Sequence, residues 1–212
     1  MSRGWRRRLQ YAAVCLSVGA YAGLSHYCNS VAGAGDLGAA MALGPLAAVA
    51  LALAWRWMPP WSAALATAGF AGVLYCAWPL LTRNFTFISL VQDSGVYCLL
   101  GLTFARSLMP SQVALCTQLA DRVHGPLSPR EVSYTRRVTA AWTLFFFGIA
   151  AVSILLYAAA PLRVWSFYIN FCGVPLIGAM FIAEYLVRRR TLPGGPRAGL
   201  LTTMRVYFAN PR

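Results

Sequence analysis

Residues 85–108 read FTFISLVQDSGVYCLLGLTFARSL, an apolar run interrupted near its middle by Gln92 and Asp93. Whether this segment crosses a membrane decides how the whole chain is arranged. An aspartate at mid-helix costs about 2.5–3.5 kcal/mol on insertion scales, while strongly apolar residues return roughly 0.3–0.6 kcal/mol each. Phe87, Ile88, Leu99, Phe104 and their apolar neighbours bring that balance near zero. Taken alone, the segment is undecided, and the answer comes from its surroundings.

Five other apolar stretches, residues 9–27, 37–55, 61–81, 140–160 and 164–187, approach the ~20 residues that a helix needs to span hydrocarbon. Hydrophobic residues make up 59% of the 212-residue chain and charged residues 11%. With a mean hydropathy of +0.59, this is outside the range of soluble domains. All eighteen of the lysine-or-arginine residues are arginine. If all six stretches cross, sixteen arginines fall on the side of the two termini: Arg3, Arg6, Arg7, Arg8, Arg56, Arg106, Arg122, Arg130, Arg136, Arg137, Arg188, Arg189, Arg190, Arg197, Arg205 and Arg212. Only Arg83 and Arg163 face the other way. Were residues 85–108 not to cross, either the basic loop or the basic tail would lie outside, against the positive-inside rule. The expected fold is therefore an all-α, polytopic membrane helical bundle. It has six transmembrane helices within residues 1–190, short cytoplasmic interfacial helices, and both termini in the cytoplasm.

A net charge of +13 would suit nucleic acid, but here it sits in short segments beside apolar runs. Anionic lipid head groups are the expected counter-charge, and nucleic acid is not expected. Arg6–Arg8 and Ala32-Gly33-Ala34 resemble the ends of a signal peptide. The run between them is too long and is broken by Tyr11 and Tyr21, so the first span is expected to remain. Its Gly19-x-x-x-Gly23 pair suits close helix packing. The six cysteines show no CxxC or Cys/His spacing, so neither a metal nor a cofactor is expected. A Gly-rich phosphate loop and a nucleophile elbow are also missing from the sequence.

The longest connection, residues 110–137, is expected on the cytoplasmic side. Val113, Cys116, Leu119, Ala120 and Val123 recur at helical spacing and predict an amphipathic helix ending at Gly125-Pro126. Ser128-Pro129-Arg130-Glu131 follows as a capping box with proline at the first helical position. Two readings of this region stand side by side. His124, Arg130, Tyr134, Arg136 and Arg137 form a surface for phosphates or lipid head groups, or the arginines serve only topology and internal ion pairs. Glu184 is expected to pair across helices with Arg136 or Arg137, the local alternative being Arg188 at i+4. In the tail, residues 191–212, Leu200, Leu201, Met204, Tyr207 and Phe208 share one face of a second predicted amphipathic helix.

Inside the membrane, Asp93 stands about eight residues from the outer end of its span, roughly 12 Å deep at 1.5 Å per residue. Asn170 and Tyr168 of the last span match that depth. A buried carboxyl needs a partner, so Asp93, Asn170 and Tyr168 form the candidate intramembrane polar group, with a functional and a purely structural reading equally open.

From Cys116 to Arg190 the chain resembles a family of small uncharacterised bacterial inner-membrane proteins that accompany aryl-polyene or xanthomonadin-like pigment biosynthesis. The residues carrying the likeness are Val123-His124-Gly125, Tyr134-Thr135-Arg136-Arg137-Val138-Thr139, Trp142 and Phe145-Phe146. It continues through Trp165-Ser166, Asn170, Pro175-Leu176 and Met180-Phe181-x-x-Glu184-Tyr185. The first three spans share only hydropathy with the family. The resemblance implies location in the bacterial inner membrane and partners among polyene-lipid biosynthesis enzymes or an acyl carrier protein. It carries over no catalytic residue. The label "ketosynthase" borne by some relatives does not fit, since that chemistry needs a cysteine and two histidines together. Here His26 and His124 are expected on opposite sides. The leading expectation is a non-catalytic accessory protein in the assembly or transfer of a polyene-type lipid. A membrane-embedded enzyme on a lipid- or carrier-linked acyl chain, with His124 as base, and a small transporter using Asp93 are the alternatives.

Overall fold

A computed structural model describes residues 3–31 and 34–191, with the side chains of residues 3, 4, 6–8 and 124 left aside. The amphipathic helix expected in the tail lies outside the described residues. The rest is all-α: α1 (Arg3–Ser30), α2 (Gly35–Trp57), α3 (Pro60–Arg83), α4 (Phe85–Ser107), α5 (Leu115–His124), α6 (Pro129–Ala159) and α7 (Leu162–Thr191). Within α7, residues Tyr168–Cys172 form a π turn. Five of these, α2, α3, α4, α6 and α7, are long and apolar enough to cross a membrane, which makes this a membrane protein. The segment at 85–108 is among them.

The sixth expected span is α1. At 28 residues it is long enough, but it is not one of the five. Gln10, Tyr11, Tyr21, Ser25 and His26 dilute its apolar character.

Local sequence explains the helix ends. Pro60 opens α3 at a position where its missing N–H costs nothing. Asp36 lies in the first turn of α2, where a carboxylate suits the helix dipole. The capping box before α6 forms: the Ser128 backbone N–H and hydroxyl donate to Glu131 Oε2 at 2.8 and 2.7 Å. Gly125 ends α5 with φ of 77°, which favours glycine.

The chain divides into two units. Among the described residues, the first comprises residues 3–31, 34–93 and 153–173, the second residues 94–152 and 174–191. In the first, α2 packs on α3 and α1, and α1 packs on the beginning of α7. Close approach is bought with small residues. A Cβ on Gly38 would come within 2.5 Å of the Phe85 ring, and one on Gly35 within 3.0 Å of the Thr82 carbonyl. Trp78 Nε1 donates to Asp36 Oδ1 at 2.8 Å, linking α3 to the start of α2. Trp165, Ser153, Ser166 and Cys28 are buried. The Gly19/Gly23 stripe is not a packing face here, since a Cβ at either would meet nothing within 4 Å.

The second unit is built on aromatic packing. Trp142 lies 4.7 Å from Phe181, 5.3 Å from Phe146 and 5.5 Å from Phe145 between ring centroids. Phe104 adds an edge contact to Phe146 at 5.4 Å. Such pairs are worth about 0.5–1.5 kcal/mol beyond area burial. In lipid, where apolar burial drives little, that geometry sets which helix faces meet. The α5 helix docks through polar atoms: Thr117 and Thr135 hydroxyls are 2.7 Å apart, and the Cys116 N–H donates to Thr139 Oγ1 at 3.2 Å. Leu119 remains exposed on it.

Candidate functional site

The first unit contains a partly open cavity of about 230 Å³ among α1, α2, α4 and α7. Its polar lining includes Tyr21, Asn29, Ser89, Gln92, Asp93 and Asn170. Each comes from a helix otherwise rich in apolar residues, so these groups gather where lipid would leave them without partners.

Asp93 accepts a hydrogen bond at Oδ2 from Ser153 Oγ, 2.9 Å away on α6. Ser153 is fully buried and itself receives the Trp165 indole N–H at 3.3 Å. The indole can only donate, so the hydroxyl proton is directed at the carboxylate. Tyr157 packs edge-on to Trp165 at 5.0 Å and holds the indole.

Asn170 lies in the π turn of α7. Its Nδ2 donates to the Ser166 carbonyl at 2.8 Å. A π turn opens the i→i−4 ladder locally and is frequent at functional sites. Ser166 Oγ lies 3.0 Å from His26 Nδ1, and the imidazole meets the edges of Phe167 and Phe171 at 6.2 and 5.6 Å. His26 is half-buried and joins α1 to α7.

Asp93, expected to contact Asn170 or Tyr168, lines the same cavity as Asn170, and each of the two bonds elsewhere. The carboxylate's partner is Ser153. Tyr168 opens the π turn but is not part of the cavity lining. Gln92 Nε2 donates to the Ala42 carbonyl at 3.0 Å. Asn29 is only 4% exposed, and its Oδ1 is buried with no partner. Sequence reasoning passed over Ser153, Ser166 and Asn29. The first had a usable signal: it stands seven residues from the outer end of its predicted span, near the depth of Asp93.

The expected cytoplasmic surface does not assemble as drawn from sequence. Tyr134 is buried, and its hydroxyl lies 3.2 Å from the Glu184 carbonyl and 3.3 Å from Glu184 Oε1. Arg136 donates to the Leu108 carbonyl, while Arg130 and Arg137 are exposed. His124 closes α5. The expected Glu184–Arg137 pair is replaced by the local one: Glu184 Oε1 lies 3.6 Å from Arg188 Nε. A tyrosine with two rotatable torsions fits between packed helices, whereas a long arginine keeps its hydrated head outward. Burial, and then the Glu184 carboxylate, raise the Cys116 thiol above its ordinary range, opposed by its hydrogen bond with Thr139. Among the described residues no cluster of three or more His, Cys, Asp and Glu could hold a metal ion.

Comparison with protein-family models, with curated proteins and with solved structures finds no match for the chain.

Proposed function

We propose that this protein of the bacterial inner membrane, both termini cytoplasmic, is a non-catalytic accessory component that holds the polar end of an amphiphile in the cavity of its first unit. The observation that carries the reading is the cavity itself: about 230 Å³ lined by side chains from four helices. Those polar groups are oriented in advance by bonds to backbone carbonyls and to Ser153. Preorganisation of this kind suits binding, because little ordering remains for the ligand to drive. Polyene-type lipid is the amphiphile to which the resemblance over residues 116–190 points. The sixteen-to-two division of arginines supports the orientation.

The transport reading shares Asp93 and the cavity. The enzyme reading, with His124 as base, gains no support from the neighbouring head-group surface, because Tyr134 of that surface is buried against Glu184. A photo-reactive amino acid at Ser25 or Ile169, both in the cavity lining, tests the proposal. Irradiation in native membranes should capture a lipid, identified by mass spectrometry, and deletion of the gene should change the polyene-lipid profile. Capture of no lipid at either position would refute lipid binding, and an unchanged profile would refute the polyene role.

A further inference from the structure

We infer that the cavity of the first unit is a receptor for a primary ammonium group. The inference rests on reading that cavity as a binding site, and it follows from counting donors and acceptors around it.

Four of the polar lining side chains commit a donor to a backbone carbonyl. Tyr21 Oη donates to Met41 at 2.9 Å, Ser89 Oγ to Phe85 at 2.9 Å, Gln92 Nε2 to Ala42 at 3.0 Å and Asn170 Nδ2 to Ser166 at 2.8 Å. A carbonyl only accepts. Each amide nitrogen must therefore sit on the backbone side, which leaves the Gln92 and Asn170 side-chain oxygens as acceptors. Asn29 contributes a further amide oxygen, buried and without a partner. Asp93 brings a carboxyl group whose Oδ2 is held by the Ser153 hydroxyl.

The chamber has one acidic group and no arginine in its lining, and its uncommitted donors, the second N–H of Gln92, the Asn29 amide and the Ser25 hydroxyl, are outnumbered by the carboxylate, amide and hydroxyl oxygens. An anion would be repelled there. A trimethylammonium group has charge but no N–H to give. A primary ammonium offers three donors and a positive charge, and a cation beside Asp93 favours the ionised carboxylate. Size argues in the same direction. At about 230 Å³ the chamber has room for several waters. That is too roomy for a bare monovalent ion and adequate for an ammonium on a short stem. Met41, Ala42 and Ile169 supply apolar lining for the stem. Both an aminophospholipid head group and a free alkylamine carry this chemistry.

The test uses the full-length protein purified in detergent. Native mass spectrometry compares retention of phosphatidylethanolamine, phosphatidylcholine and phosphatidylglycerol, and ethylamine is titrated separately against thermal stability. The expected result is retention of phosphatidylethanolamine at least about tenfold over the other two, the scale of one charge-assisted hydrogen bond. Asp93→Asn should abolish that preference, and Asn29→Asp should strengthen it. A head-group source predicts little response to ethylamine, whereas a free-amine source predicts stabilisation by ethylamine, lost in Asp93→Asn, with no lipid preference. Equal retention of all three lipids together with no response to ethylamine overturns the inference, even if Asp93→Asn fails to fold. If lipid is still photo-captured from Ser25 in that case, the cavity remains a lipid site and only its ammonium selectivity is wrong.

Discussion

Ser153 Oγ lies 2.9 Å from Asp93 Oδ2, joining residues sixty positions apart in the chain. The contact places the acid of α4 against a hydroxyl on α6, and Trp165 Nε1 completes the chain of donors behind it. Removing the hydroxyl leaves an indole N–H and a carboxyl group to find new partners. Ser153→Ala is expected to destabilise the protein by about 0.6 kcal/mol and by less than ~2, the span seen for membrane hydrogen bonds. Thermal unfolding in detergent should show Ser153→Ala and Asp93→Asn to be non-additive. Full additivity would mean that the two groups do not interact.

Gly38 cannot accept a side chain without moving Phe85, whose ring lies 2.5 Å from where a Cβ would be. Gly38→Ala should cost about 1–3 kcal/mol, as overpacking typically does. Combining it with Phe85→Leu should recover part of the loss. If Gly38→Ala is as stable as the natural protein, the approach of α2 to Phe85 is looser than described.

At the other end of the chain, the partners of Glu184 make distinct predictions. Tyr134→Phe removes a buried hydroxyl's hydrogen bond and should cost on the order of 1 kcal/mol. In double-mutant cycles with Glu184→Gln, Arg188→Gln should couple by about 0.2–0.5 kcal/mol. Arg137→Gln should be additive in the same cycle. Coupling to Arg137 that exceeds coupling to Arg188 would restore the interhelical pair.

Cys116 should react slowly with a water-soluble alkylating reagent. The thiolate is the nucleophile, and burial followed by Glu184 raises the thiol above its ordinary value, the Thr139 hydrogen bond opposing them. At a given pH near 8 a smaller fraction is ionised than in glutathione. Its alkylation rate should therefore trail glutathione's and keep climbing above pH 9, while Glu184→Gln should speed it modestly. A rate at pH 8 matching or exceeding that of glutathione would contradict this.

Reporter fusions at Asp36, Arg122 and Arg212 should read outside, inside and inside. A fusion ahead of Arg3 tests the least apolar long helix: an inside reading means that α1 crosses, giving six spans, and an outside reading leaves five.

Helical content and five of the six expected spans were legible in the sequence, because hydrocarbon admits little besides continuous helices with internally satisfied backbones. The start of α6 at Pro129 and the end of α5 at Gly125 were also legible, since caps depend on neighbours within four residues. The assignment of partners was not. A sequence gives each residue's depth along its span through the 1.5 Å rise, and on that measure Ser153, Tyr168 and Asn170 were all available to Asp93. Depth alone says nothing about which face of each helix turns inward. For Glu184, likewise, Arg136 and Arg137 were level and Arg188 stood one turn on at i+4, and the side-chain shapes between packed helices put Tyr134 across from it and left Arg188 on the same helix as its ion partner. Asn29 shows the same limit most clearly. At the end of α1 it reads as an ordinary boundary residue, and only the packing of α1 buries its oxygen in the cavity lining. Candidate spans and the depth of each residue along them follow from one-dimensional transfer energies, whereas facing and pairing follow from helix rotation, which the tertiary structure alone decided.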